Sequence, residues 1–400
     1  MKYISKIRNK LLLILFVLTS SVVKADSIAA GFERPLQWHA GAQLTGAYVP
    51  GTNGFLRGDY PDGKKIDCSA GGDVRAGFSF ARDTREGILY RGLYQGIGIG
   101  VNTFFDSKRL GTPVSAYVYQ GAPIARIGSR LSLDYEWQFG AAFGWKHFDV
   151  DVDEDNAAVS TAVTAHIGLG FKLRYSLSDR LQLAVGVAGR HFSNGNTEWP
   201  NAGVNTVGLS VGLTYLINPG RQTDAQADGT LIADADRGRW VYDIIGYGAW
   251  RKRTVSVGDP AEAQMCPGRF AVAGLQFSPM RRLNRYVAVG PSLDLQWDQS
   301  ACLEQYWLEG SYDENIKFYR PPFGKQIGVG LSAHAELTMP IFAVNAGLGF
   351  NVINPRGDKR FYQSLALKTF VTRHVFINVG YRLGNFKNPQ NLMLGMGVRL

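Results

Sequence analysis

Charged residues, cysteines and helical periodicity are all scarce in this 400-residue sequence. Asp, Glu, Lys and Arg make up only 19% of the chain. Mean hydropathy is near zero, which excludes a protein built from membrane-spanning helices. Beyond the N-terminal region, no segment repeats apolar residues with the 3.6-residue period of an amphipathic helix. The sequence therefore disfavours helical membrane proteins and helical soluble domains.

The three cysteines limit the covalent and metal chemistry of the chain. Cys68, Cys266 and Cys302 have no spacing typical of a metal site. Because their number is odd, we expect at most one disulfide, and Cys266 with Cys302 is the candidate pair. We predict no metal and no cofactor.

The N-terminus has the layout of a secretory signal peptide. Basic residues including Lys2 and Arg8 precede an apolar run from Leu11 to Leu18, and small residues lead to Ala25. The run is far shorter than the roughly 20 residues of a membrane-spanning helix. We therefore predict that residues 1–25 are removed on export. Export makes nucleic acid a poor partner for the formal charge of +10, and an anionic lipid surface a better one.

Glycine and aromatic residues are abundant, and segments of about ten residues alternate apolar with small or polar side chains. This pattern predicts 14 to 16 strands, in a first series within residues 26–217 and a second within residues 238–400. A polar loop, residues 218–237, separates them. A soluble β-sandwich is the alternative. Strand lengths close to the roughly 9–11 residues that cross a bilayer, and a chain that ends inside a strand at Leu400, favour an antiparallel transmembrane β-barrel.

Two arrangements of these strands remain open. A single large barrel needs only one closure of the sheet. Closure leaves no strand edge whose backbone N–H and C=O groups would be unpaired in lipid. An eight-stranded unit followed by a second β unit is the other possibility. A single closure is the simpler expectation, with the second series completing the barrel.

One hairpin concentrates the reactive side chains. Leu181 to Val187 and Val207 to Tyr215 place aliphatic residues at odd positions, so odd positions are predicted to face lipid. By the same parity His191, Ser193 and Asn205 point outward at the rim. Polar groups that face hydrocarbon are costly unless they are paired. Either the strand has already left the membrane there, or the groups act on a lipid.

The residues from His191 to Gly195, followed by Pro200-Asn201-Ala202-Gly203, resemble the lipid A 3-O-deacylase family of outer-membrane β-barrel esterases. The resemblance is good over residues 150–217 and looser over residues 30–150, and it does not extend to the second strand series. It implies a barrel in the bacterial outer membrane whose Ser/His site faces outward, toward lipid A of lipopolysaccharide in the outer leaflet.

Carried over by position, the resemblance implies Ser193 as nucleophile and His191 as general base. It implies an oxyanion hole from the backbone N–H groups at Asn194 and Gly195 and the Asn201 side chain. The family's orienting acid falls fourteen residues after the histidine, where this chain has Asn205. An amide can fix the imidazole tautomer but cannot stabilise imidazolium by charge. Glu198 is an alternative acid if its loop folds back.

The resemblance therefore implies a serine esterase that removes an ester-linked acyl chain, at the 3 position, from lipid A. The alternative is a catalytically inactive barrel with a structural or passive-transport role. A phospholipase that acts on glycerophospholipid is a third possibility.

Overall fold

Sixteen long strands form two closed antiparallel barrels of eight strands each in the computed structural model. The structure describes residues 36–59, 63–81, 84–149, 155–219, 237–257, 262–306, 308, 317, 319–354, 359–386 and 388–400. The predicted signal peptide and most of the predicted loop 218–237 lie outside these ranges. No helix among the described residues is long and apolar enough to cross a membrane.

The first barrel follows chain order from β1 to β8, and β8 pairs with β1 to close it. Two short helices lie between its strands: α1 (Gly54–Arg57) and α2 (Arg85–Tyr90). Its strands are β1 (Leu36–Tyr48), β2 (Cys68–Phe80), β3 (Tyr94–Thr103), β4 (Gly111–Ile127), β5 (Leu131–Trp145), β6 (Val163–Ser176), β7 (Leu181–Ser193) and β8 (Val204–Leu216).

The second barrel closes between β18 and β9. Its strands are β9 (Trp240–Arg251), β12 (Phe270–Arg282), β13 (Val287–Asp298), β14 (Ile327–Thr338), β15 (Phe342–Ile353), β16 (Phe361–Phe370), β17 (Val375–Gly384) and β18 (Asn388–Arg399). A separate hairpin, β10 (Thr254–Val257) with β11 (Glu262–Met265), stands between β9 and β12. A 3₁₀ turn (Leu303–Gln305) and α3 (Phe323–Gln326) precede β14.

The prediction of an all-β antiparallel barrel protein with 14 to 16 barrel strands is confirmed, with the two-unit arrangement. The expectation that the second series completes a single barrel is wrong. Ten residue pairs, from His39↔Leu216 to Tyr48↔Val207, join β1 to β8. That pairing uses both edges of the first sheet, so none remains for β9. Cys68, Cys266 and Cys302, which all lie in the described ranges, form no disulfide.

The alternating pattern places aliphatic side chains on the outside of both barrels. On β8 and β9 the exposed residues include Val207, Leu209, Val211 and Ile244. Exposed aromatic residues lie at both ends of the first barrel: Trp38, Tyr175 and Tyr215 at one end, and Tyr48, Phe105 and Trp199 at the other. An apolar band between two aromatic girdles is typical of a transmembrane barrel.

Buried ion pairs occupy the two lumens. In the first barrel Glu136 accepts from Arg75 and Lys172, each at 2.6 Å. In the second, Lys368 contacts Asp243 at 2.7 Å and Glu336 at 2.6 Å. Charges removed from water are tolerated when they are paired in this way. The ion pairs therefore lie across both lumens, and in the first barrel Arg75, Glu136 and Lys172 also line a cavity of about 380 Å³.

The connections of the first barrel differ in length between its two ends. Two of the three connections at one end, residues 128–130 and 177–180, are short turns, and the third, residues 81–93, is longer and contains α2. At the other end all four connections, residues 49–67, 104–110, 146–162 and 194–203, are longer loops. Outer-membrane barrels have short periplasmic turns and long extracellular loops. The long-loop end therefore corresponds to the outer leaflet, and the 194–203 turn belongs to that end.

The barrels contact each other at three levels. At the short-turn end, Tyr286 donates its hydroxyl to the Leu89 carbonyl and its ring meets that of Tyr90. Along the wall, the rings of Trp137 and Phe342 lie 5.1 Å apart. At the long-loop end, Glu198 of the 194–203 turn forms ion pairs with residues of the second barrel.

The wall contact includes polar groups. Gln95 lies on the same side of β3 as the exposed Ile97, yet it is 1% exposed. Its side chain accepts from Gln120, and Gln120 accepts from the Trp137 indole N–H at 3.2 Å. Hydrogen-bonded amides are a common feature of packed surfaces within membranes.

Candidate active site

The β7–β8 hairpin brings three predicted site residues together on the outer wall. His191 and Asn205 are direct cross-strand partners, and Ser193 is two residues further along β7, so all three share one face. All three are half-buried. Tyr48, in the girdle at the long-loop end, pairs with Val207 on β8, two residues from Asn205. The group therefore lies on the outer wall at the level of that aromatic girdle.

The imidazole of His191 is held on both sides. Its Nδ1 lies 2.8 Å from Asn205 Oδ1, and its Nε2 lies 2.9 Å from Ser193 Oγ. Because Asn205 presents an oxygen, Nδ1 carries the proton and Nε2 is left as the acceptor. A neutral imidazole in this tautomer can accept the proton of the Ser193 hydroxyl.

The strand end that carries the site is fixed from inside the barrel. Phe192, between His191 and Ser193, points inward and is fully buried. Its ring packs edge-on against Trp145 and His166 at 5.3 and 5.1 Å. It belongs to an apolar cluster formed by three of the long connections of the first barrel (49–67, 104–110 and 146–162) and by strand residues beside them: Val49, Phe55, Leu56, Ile66, Phe104, Leu110, Ala142, Trp145, Ala158, Val159, Phe192 and Val204.

Glycine is required where β8 begins. Gly203 has a φ of +73°. A Cβ atom there would lie 3.0 Å from the Phe192 carbonyl oxygen and 3.1 Å from His191 Cε1. The Gly203 N–H donates to the Ala158 carbonyl at 2.9 Å. The β5–β6 loop therefore supports the turn directly behind the imidazole.

The predicted oxyanion-hole residues lie in the turn that follows Ser193. The Asn194 N–H donates to Asn201 Oδ1 at 3.0 Å, so this N–H is already engaged within the turn. The same bond turns the Asn201 amide so that its NH₂ group points to the other side. Among the residues that the structure describes, the Gly195 N–H has no hydrogen-bond partner. Gly195 N–H and Asn201 Nδ2 are therefore the donors that remain available.

The Asn194 side chain is buried and braces the turn. Its Nδ2 donates to Ser160 Oγ at 2.8 Å and to the Glu198 carbonyl at 3.0 Å. Ser160 was not singled out in the sequence, because it is 34 residues from Asn194 and no local pattern connects them.

Glu198 does not orient the imidazole in this structure. Both ring nitrogens of His191 already have partners, and the Glu198 carboxylate contacts Lys252 at 2.5 Å and Arg269 at 3.0 Å. Its loop extends toward the second barrel rather than back over the hairpin. Asn205 is the side chain in contact with Nδ1.

A second Ser/His/Asn group lies in the lumen of the second barrel. His334 Nε2 lies 2.9 Å from Ser332 Oγ, and His334 Nδ1 lies 2.5 Å from Asn345 Oδ1. The sequence shows no spacing that connects His334 to Asn345. All three side chains are at most 7% exposed, and Ser332 also donates to Asp294. A lipid in the bilayer could not reach this group. The His191, Ser193 and Asn205 group, by contrast, lies on the outer wall of the first barrel, which lipid contacts.

The described residues contain no group of three or more His, Cys, Asp or Glu side chains that could hold a metal ion.

Solved structures match this chain at low sequence identity and low TM-score. Neisserial surface protein A is 9% identical with a TM-score of 0.30, over 46% of this chain and 99% of that chain. The outer membrane enzyme PagL is 17% identical with a TM-score of 0.26, over 43% and 97%. A mutant porin of Rh. blastica is 10% identical with a TM-score of 0.16, over 92% and 100%. No curated protein sequence matches the chain.

With TM-scores this low, the family assignment rests on sequence models. The model for lipid A 3-O-deacylase (PagL) matches residues 27–214, and the model for the C-terminal domain of acyloxyacyl hydrolase matches residues 240–400. These ranges coincide with the first and the second barrel. The chain therefore belongs to the lipid A 3-O-deacylase family of outer-membrane β-barrel proteins, as a member with a second, C-terminal barrel.

Proposed function

We propose that this protein hydrolyses the ester-linked acyl chain at the 3 position of lipid A, with Ser193 as nucleophile and His191 as general base. The observation that carries the proposal is the 2.9 Å contact between Ser193 Oγ and His191 Nε2 on the lipid-facing wall. The family assignment provides the substrate class. The site's position at the long-loop end fits a substrate in the outer leaflet.

In the proposed reaction, Ser193 Oγ attacks the ester carbonyl carbon while His191 Nε2 takes the hydroxyl proton. The negative charge on the tetrahedral intermediate's oxygen is stabilised by Gly195 N–H and Asn201 Nδ2. Collapse breaks the bond to the sugar oxygen, which receives the proton from His191. Water then attacks the acyl-Ser193 ester with His191 as base, the bond between the acyl carbon and Ser193 Oγ breaks, Oγ regains a proton from His191, and the free fatty acid leaves.

Asn205 acts by orientation. Its Oδ1 accepts the Nδ1 proton at 2.8 Å and so keeps the lone pair of Nε2 directed at Ser193. An amide adds no negative charge, so imidazolium is stabilised less than it would be beside a carboxylate. We therefore expect a slow enzyme.

A passive-transport role is less well supported. The ion pairs around Glu136 and Lys368 lie across the two lumens, where an open channel would need free space. A catalytically inactive structural barrel is the remaining alternative, and it is separated from the esterase by experiment.

The test is mass spectrometry of lipid A from cells that express the protein. We expect loss of one acyl chain, assigned to the 3 position by fragmentation, and retention of that chain with Ser193→Ala or His191→Ala. Ser332→Ala is the matched control, since it removes an equivalent hydroxyl beside His334 in the second barrel. An unchanged lipid A with wild-type protein would support the inactive barrel. Fatty acid released from glycerophospholipid, with intact lipid A, would identify a phospholipase.

A further inference from the structure

The second barrel contacts the turn that carries the proposed oxyanion hole. Gly195 lies against Leu392 of β18, and a Cβ atom at Gly195 would be 2.7 Å from Leu392 Cδ2. Gly195 also has a φ of +65°, which disfavours other residues. The side chain of a different barrel therefore covers the backbone next to the nucleophile.

An ion-pair cluster makes a second contact with the same turn. Glu198 Oε1 contacts Lys252 Nζ at 2.5 Å, and Glu198 Oε2 accepts from Arg269 at 3.0 Å. Lys252 follows β9 and Arg269 precedes β12, so both cations come from the base of the β10–β11 hairpin. The Glu198 side chain is 14% exposed and that of Lys252 is 24% exposed, whereas the Arg269 side chain is 59% exposed. The Lys252 pair is therefore shielded from solvent more than the Arg269 pair.

The contacts within the turn connect this cluster to the oxyanion donors. The Glu198 carbonyl accepts from Asn194 Nδ2, and the Asn194 N–H in turn binds Asn201 Oδ1. Movement of Glu198 would therefore shift Asn194, and through it the amide of Asn201. Gly195, the other donor, is adjacent to Asn194 in the chain.

We propose that the second barrel positions the active site: Lys252, Arg269 and Leu392 hold the 194–201 turn in the geometry that stabilises the oxyanion. They are positioning residues, because they act through Glu198 and Gly195 and have no contact with the nucleophile or base. The inference rests on the proposed esterase function. A misplacement of about 1 Å in a catalytic group can cost about 100-fold in rate, so a partly released turn should cost about 10-fold.

The test is charge reversal with rescue. Lys252→Glu combined with Arg269→Glu should lower kcat on lipid A in mixed micelles by about 10-fold with a smaller change in KM, since oxyanion donors act on the transition state. Adding Glu198→Lys should restore kcat to within about 3-fold of wild type by re-forming the pairs with opposite signs. Lys65→Glu is the control, because Lys65 forms an exposed pair with Asp67 in a different loop.

Hydrogen exchange of residues 194–201 provides a readout independent of activity. Faster exchange in the double variant, reversed in the triple variant, would support the anchoring even if the wild type hydrolysed no lipid A. Wild-type inactivity would then count only against the esterase proposal. Unchanged kcat and unchanged exchange in a folded double variant would overturn the positioning role. Leu392→Ala, which keeps the charges, should also lower kcat. An unchanged kcat in this variant would exclude a positioning role for the contact between Leu392 and Gly195.

Discussion

Replacing Asn205 with Asp should make the enzyme faster, because it adds charge where the amide now provides only orientation. Asn205 Oδ1 lies 2.8 Å from His191 Nδ1. A carboxylate there would be roughly 4 Å from the centre of the imidazolium charge. At an effective dielectric constant of about 20 this attraction is worth about 4 kcal/mol. Both residues are half-buried on the outer wall, and solvent screening reduces the usable part to about 1–2 kcal/mol.

Imidazolium forms only as the reaction proceeds, so the attraction to the new carboxylate stabilises the transition state. About 1.4 kcal/mol corresponds to a tenfold change in rate, and we expect kcat for lipid A to rise about 10-fold in Asn205→Asp, with KM nearly unchanged. Asn205→Leu should lower kcat by about 10- to 100-fold, because it leaves the Nδ1 proton without an acceptor. The assay is the rate of fatty acid release in mixed micelles, followed by mass spectrometry.

The matched control is Asn345→Leu, which removes the equivalent bond to His334 in the second barrel and should leave kcat unchanged. Equal rates in wild type, Asn205→Asp and Asn205→Leu, with Ser193 still required, would refute the orienting role of Asn205. A slower Asn205→Asp enzyme with unchanged folding would show that desolvation of the new carboxylate exceeds its attraction to imidazolium.

Two further substitutions test the wall that carries the site. Gly203→Ala should lower kcat by about 10-fold, because the added Cβ would press on His191 Cε1 and because Gly203 has a positive φ. The assay is the rate of lipid A deacylation, and full activity in this variant would contradict the prediction. Leu209→Arg, in the middle of β8, should destabilise the barrel in phospholipid vesicles by about 2–4 kcal/mol, whereas Ile217→Arg near the strand end should cost about 0–1 kcal/mol. Equal costs in denaturant titrations would contradict the membrane position of β8.

The alternation of residues along each strand predicts much of the site geometry from the sequence. Alternation from Leu181 to Val187 assigns the odd face of β7 to lipid, and the structure confirms that Val185 and Val187 are exposed while Phe192 is buried. The same parity put His191, Ser193 and Asn205 on one face. The period of two is a local property of the backbone, so a single sequence reveals it.

Strand parity in the sequence does not show which strands pair to close the barrel. Whether the first series closes on itself depends on whether β1 meets β8 or another strand. These strands are more than 150 residues apart, and both have exposed aliphatic faces that would suit either partner. The pairing follows from strand number, tilt and register of the whole sheet. The expectation of a single closure was wrong for that reason.

The surroundings of the hairpin were likewise decided by distant residues. Glu198 looked like a candidate acid from its position in the turn, but Lys252 and Arg269 draw its carboxylate toward the second barrel. Ser160 and Leu392 carry no local signal of their contacts with the turn. Long-range partners of this kind are specified by packing, and no spacing rule records them.

The sequence by itself therefore determined the all-β class, the strand positions, the lipid-facing parity and the His191, Ser193 and Asn205 group, since each depends on residues that are near in the chain or directly across one hairpin. Only the tertiary structure decided that there are two barrels, that Asn205 rather than Glu198 contacts the imidazole, and that the second barrel contacts the 194–203 turn. Those features depend on which distant surfaces meet, and this is set by sheet closure and packing of the whole chain.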